Sequence, residues 1–245
     1  MKRIIALLCI VLLLFAACSA GAEGSASFES GELKLNDRGD CIRYWLFTPK
    51  NAREGTPLIV YLHGGSAKGD DLRKLIENGF CKGVYDGDFD DTNAYILFPQ
   101  LDSKYRGWEN AARAVKQLID FTVRKYEIDS ENISLTGHSM GGTGAFVLAI
   151  AYPKMFARIA PMSGSIECTQ ENVEALANMP VWAFVGAEDA IVSPELSEKF
   201  VESLNQAGGN ARLTVFEGAT HFDVPTLAYF DSELNVLDWL IGNGQ

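Results

Sequence analysis

Basic residues are scarce in this chain of 245 amino acids: 21 Lys and Arg stand against 32 Asp and Glu, a net charge of −11. A surface of that sign repels phosphate backbones and anionic membranes, so nucleic acid is excluded as a partner and neutral substrates or products are favoured. Cysteine is sparse too, with five residues in all. Cys9 and Cys18 fall in the N-terminal leader, leaving Cys41, Cys81 and Cys168 for the folded part. Three thiols allow at most one internal disulfide, and no disulfide scaffold is implied. No Cys/His spacing suits zinc. The acidic run 86–91 puts Asp91 and Leu97 where an EF-hand loop needs glycine and glutamate, so it reads as a solvated turn. No metal or cofactor is therefore expected. No linker or repeat divides the chain, and its apolar leader is too short to span a bilayer comfortably.

That leader, Met1-Lys2-Arg3 followed by the apolar run 4–17, has the basic start and apolar centre of a secretory signal. Its end, Leu14-Phe15-Ala16-Ala17-Cys18, resembles a bacterial lipoprotein cleavage site, in which the cysteine becomes the lipidated first residue; Phe15 departs from the usual Leu. Two outcomes stay open: a lipid anchor on Cys18, at the cell surface or in the periplasm, or plain cleavage and secretion. The expected organisation is a signal peptide over 1–17, a flexible tether over 18–30 rich in small and polar residues, and one catalytic domain over 31–245.

Within that domain, strand-like runs at 41–47, 58–62, 94–98, 132–136, 157–162, 181–185 and 212–216 alternate with helical patterns. This alternation predicts an α/β fold, a mostly parallel sheet covered on both faces. Between Trp108 and Tyr126, Ala111, Val115, Leu118, Ile119 and Thr122 recur at helical spacing, so one helix face packs on the sheet. The segment 163–179 has room for a turn and one small helix. No large cap domain is expected, and the cleft should be accessible.

The chemistry concentrates at Gly137-His138-Ser139-Met140-Gly141, between a strand pattern and a helix pattern. A serine hydroxyl becomes a useful nucleophile when a sharp strand-to-helix turn holds it exposed beside a base, and small residues must flank such a turn. A dinucleotide fingerprint beginning at Gly142 fails at Val147, and a P-loop over 64–69 fails at Asp70 and Asp71. With only three histidines in the chain, the base follows by elimination. His63 ends an apolar run and shapes the loop after it; His138 adjoins the serine inside the elbow. His221 follows a strand pattern, where a sheet-end loop would present it as general base. Asp189, after the buried-strand pattern 181–185, is the candidate acid, with Glu188 and Asp223 as competitors. The oxyanion hole needs two backbone N–H donors: Met140, directly after the nucleophile, and Gly65 or Ser66 from His63-Gly64-Gly65-Ser66, with Gly65 favoured. Trp108, His138 and Ser66 are candidates for touching substrate. Trp108 has two readings, a stacking face beside the site or an anchor for its own helix.

Together these motifs make the chain resemble the α/β-hydrolase superfamily over residues 41–240. Within it, the chain is similar to secreted bacterial esterases of the dienelactone-hydrolase, feruloyl-esterase and polyhydroxybutyrate-depolymerase-like groups and to those labelled predicted peptidases. The similarity is carried by Tyr61-Leu62-His63-Gly64-Gly65, Phe98-Pro99-Gln100 with Trp108, Thr136-Gly137-His138-Ser139-Met140-Gly141-Gly142, Gly186-Ala187-Glu188-Asp189 and Gly218-Ala219-Thr220-His221. The resemblance implies a serine carboxylesterase acting through an acyl-enzyme on Ser139, on small-molecule or polysaccharide-linked esters such as feruloyl or acetyl groups of plant cell walls. A serine peptidase with the same triad and a binding protein that has lost catalysis are the alternatives. The sequence sets no oligomeric state.

Overall fold

The computed structural model describes residues 25–243; the expected signal peptide, Cys18 and the start of the expected tether lie outside them. Eight strands make one sheet: β1 (Ser27–Lys34), β2 (Cys41–Thr48), β3 (Leu58–Leu62), β4 (Tyr95–Pro99), β5 (Ile133–His138), β6 (Arg158–Met162), β7 (Val181–Gly186) and β8 (Ala211–Phe216). Their order is β1-β2-β4-β3-β5-β6-β7-β8. The pairs β1–β2 and β2–β4 are antiparallel and the remaining pairs parallel. The helices are α1 (Gly79–Asp86), α2 (Trp108–Tyr126), α3 (Met140–Ala151), α4 (Gln170–Leu176), α5 (Pro194–Gln206), α6 (Val224–Phe230) and α7 (Val236–Leu240).

Burial on both faces explains why the central strands read as unbroken apolar runs. In β3, Leu58, Val60 and Leu62 point into one core with Trp108, Val115 and Leu118 of α2 and Phe146 of α3. Ile59 and Tyr61 point into the other, with Phe80 of α1, Tyr229 of α6 and Trp239 of α7. The helix expected from Trp108 runs to Tyr126 and buries Ala111, Val115, Leu118, Ile119 and Thr122.

One strand is new. β1 pairs with β2 from Ser27↔Thr48 to Lys34↔Cys41, so residues 27–30, expected as part of a tether, belong to the sheet. The strand carries no period-two signal because its two apolar anchors face opposite ways. Phe28 packs into the α1 side of the sheet and Leu33 into the α2 side. Gly31 between them lies under the Tyr44 ring, where a Cβ would collide. Between β6 and β7 stands only α4, packed against α3 and α5, and no large cap is present among the described residues. Cys41, Cys81 and Cys168 are free thiols. No helix among the described residues is long and apolar enough to cross a membrane.

Candidate active site

Ser139 occupies the junction of β5 and α3 with φ 57° and ψ −118°, a backbone conformation that a residue with a side chain rarely adopts. The turn is held from both sides. The Ser139 N–H donates to Met162 O at 2.9 Å, and the Thr143 N–H donates to Ser139 O at 3.0 Å. The flanking glycines are needed because β3 passes so close. A Cβ on Gly137 or Gly141 would strike the Leu62 carbonyl oxygen.

His221, in the loop after β8, and Asp189, in the loop after β7, meet through Nδ1 and Oδ2 at 2.7 Å, and both residues are buried. The other carboxylate oxygen accepts N–H bonds from Ile191 at 2.9 Å and Val192 at 2.8 Å. Burial pushes the Asp189 carboxyl upward, but the Val192 N–H, His221 and the Ile191 N–H together outweigh it and hold it below the usual range. An ionised carboxylate only accepts, so Nδ1 carries a proton, and in the neutral form of the ring the lone pair is on Nε2. The competing acids are elsewhere engaged. Glu188 faces solvent, and Asp223 closes its own turn on the Thr220 N–H at 2.8 Å and hydroxyl at 2.6 Å.

The other two histidines are neutral scaffolding. His138 donates through Nε2 to the backbone carbonyl of His221 at 2.8 Å, and burial lowers its pKa to about 4. It lines the cleft, yet that nitrogen is already engaged. His63 donates from Nδ1 to Gly64 O at 2.6 Å and accepts at Nε2 from the Leu101 N–H at 3.0 Å; burial pushes it down to about 4 as well. It shapes the Gly-rich loop, as expected.

Trp108 is not a substrate platform. It is 1% exposed, its ring lies over Gly144 where a Cβ would collide, and its indole N–H donates to His63 O at 3.1 Å. Of its two readings the anchor is the one found. Gly144 lets the start of α2 settle onto α3, which carries the ring inward.

A cleft of about 570 Å³ opens over Ser139 and His221, and Gly65, Ser66, Ile191 and Phe222 also line it. No residue of 163–179 lines it. Met140 begins α3 and Gly65 begins a short 3₁₀ turn, Gly65–Ala67; the first N–H groups of a helix have no partner within it. A second cavity of about 520 Å³ lies at the amino ends of the strands, beside Arg53, Thr56 and Asn132. No histidine, cysteine or carboxylate lines that one.

Known proteins are similar to this chain in sequence and in fold. The Dienelactone hydrolase family matches residues 42–226. Acetylxylan esterase A of Aspergillus awamori is 23% identical over 239 residues, covering 86% of this chain and 72% of that protein. Feruloyl esterase B of Talaromyces stipitatus is 27% identical over 137 residues, covering 53% of this chain and 38% of that one. Among solved structures, a thermostable esterase superposes with a TM-score of 0.76 at 27% identity, over 87% of this chain and 62% of its own. A ferulic acid esterase superposes with a TM-score of 0.70 at 17% identity, over 89% and 100%. The family match runs from β2 into α6 and takes in serine, acid and histidine, so the chain belongs to the Dienelactone hydrolase family, hydrolases of the α/β-hydrolase superfamily.

Proposed function

We propose that the protein is a serine carboxylesterase that removes acyl groups, acetyl or feruloyl, from carbohydrate esters, with Ser139, His221 and Asp189 as its triad. The observation that carries this reading is the buried 2.7 Å Asp189–His221 pair facing the cleft that Ser139 lines. The names of the relatives, acetylxylan esterase and feruloyl esterase, support the substrate class.

In this mechanism the Nε2 lone pair of His221 takes the Ser139 proton as Oγ adds to the ester carbonyl. The Met140 and Gly65 N–H groups receive the oxyanion, each worth on the order of a hundredfold to a thousandfold in rate. Asp189 stabilises the imidazolium. The intermediate then expels the alcohol, whose oxygen takes the proton from His221, and water repeats the sequence on the acyl-enzyme to release the acid. Ser66 lines the cleft along with Gly65, which supports its reading as a substrate contact.

Incubating the protein beside Ser139→Ala with methyl ferulate and an aryl acetate, and following released acid, tests the reading. Serine-dependent release is the expected result. No release from either ester, with serine-dependent cleavage of an anilide, would replace the esterase with a peptidase. Export and a lipid on Cys18 complete the proposal; labelling with a radioactive fatty acid that is lost in Cys18→Ser would support the anchor, and equal labelling would remove it.

A further inference from the structure

The two most exposed large apolar side chains among the described residues, Phe222 at 72% and Ile191 at 61%, flank the catalytic pair. Ile191 belongs to the turn whose N–H groups hold Asp189. Phe222 follows His221, and its ring stands perpendicular to the imidazole with centroids 5.2 Å apart. Both line the cleft with Ser139. Apolar side chains left bare in one cleft beside a reactive centre are the mark of a surface that meets a ligand.

The chemistry decides which half of an ester meets them. His221 must hand its proton to the departing oxygen, so that oxygen lies within hydrogen-bond reach of Nε2. The alcohol half therefore starts beside His221 and its neighbour Phe222. The cleft also carries an apolar lining of Ala67, Leu75 and Cys81, which is left for the acyl half. A methyl alcohol offers these two side chains little to hold, whereas a ring offers a flat face. The face of an aromatic ring is its negative side and attracts the polarised C–H bonds of a sugar.

We propose that Phe222 and Ile191 form a leaving-group subsite that grips the ring of a sugar alcohol, Phe222 by stacking and Ile191 by apolar contact at its edge. The proposal rests on the esterase reading and adds to it the part of the substrate that these residues select.

The test holds the acyl group constant and varies the alcohol: methyl ferulate against a feruloyl ester of methyl arabinofuranoside, as kcat/KM. The wild-type protein should prefer the sugar ester by about tenfold. Phe222→Ala should abolish that preference and Phe222→Trp keep it, while Leu196→Ala, an exposed apolar control on α5, should leave the ratio unchanged. Turnover of both esters without preference, or an equal loss on both in Phe222→Ala, overturns the subsite while leaving the esterase intact. Absence of serine-dependent turnover of either ester overturns the esterase reading and the subsite with it.

Discussion

His138 holds His221 by the main chain: its Nε2–H donates to the His221 carbonyl across 2.8 Å, and the two rings lie 4.8 Å apart. In the proposed triad, the elbow that would supply the nucleophile thus also steadies the loop that carries His221. Small errors in such positioning are costly, about a hundredfold for a displacement near 1 Å. His138→Ala should lower kcat on an aryl acetate by about tenfold to a hundredfold with little change in KM. His138→Gln, whose amide can donate to the same carbonyl, should recover part of it. Steady-state kinetics of the two variants decides this; unchanged kcat in the alanine variant refutes the role.

Removing the charge of the acid should be more damaging. In Asp189→Asn the amide can offer its N–H to Nδ1, turning the imidazole into the tautomer whose Nε2 carries hydrogen and cannot act as base. We expect kcat to fall by about a thousandfold to ten-thousandfold with the fold retained. Activity within tenfold of wild type, alongside unchanged circular dichroism, would point to another acid.

Acid should destabilise the protein early. His63 and His138 titrate near 4 in the folded chain, against about 6.5 when unfolded. Between these values the unfolded chain binds the protons and the folded chain does not. Stability is therefore full above about pH 6.5 and falls as pH drops toward 4, by up to about 1.4 kcal/mol per pH unit for each histidine. Urea midpoints at pH 7, 6 and 5 measure the slope. Replacing His63 with glutamine should make it shallower.

Trp108 ties α2 to the loop after β3 through its indole N–H and His63 O. Trp108→Phe keeps most of the ring and leaves the buried carbonyl without its donor, at a cost of about 1–3 kcal/mol. Trp108→Ala should cost about 3–5 kcal/mol. Denaturant unfolding of both variants gives the values, and a neutral Trp108→Ala would contradict its burial.

Much of this was legible in the residues, for physical reasons. Strands buried on both faces, such as β3 and β7, leave continuous apolar runs, and the elbow at Ser139 needs small residues at fixed offsets. Asp189 could be favoured over Glu188 by its place after β7, but what separates them is that Ile191 and Val192 turn their N–H groups onto Asp189, a fact of loop geometry. β1 leaves no local pattern because Phe28 and Leu33 serve opposite cores. The work of Trp108 and His138 depends on partners 45 and 83 positions away, a separation that local patterns do not encode.

The short stretch between β6 and β7 has a consequence for how substrate arrives. With α4 packed against α3 and α5 and nothing from 163–179 bordering the cleft, nothing from that stretch arches over Ser139 for a strand of substrate to thread beneath. For the esterase proposed above, that side of the opening is left clear, so an acyl branch midway along a chain need not be threaded beneath 163–179 to reach Ser139.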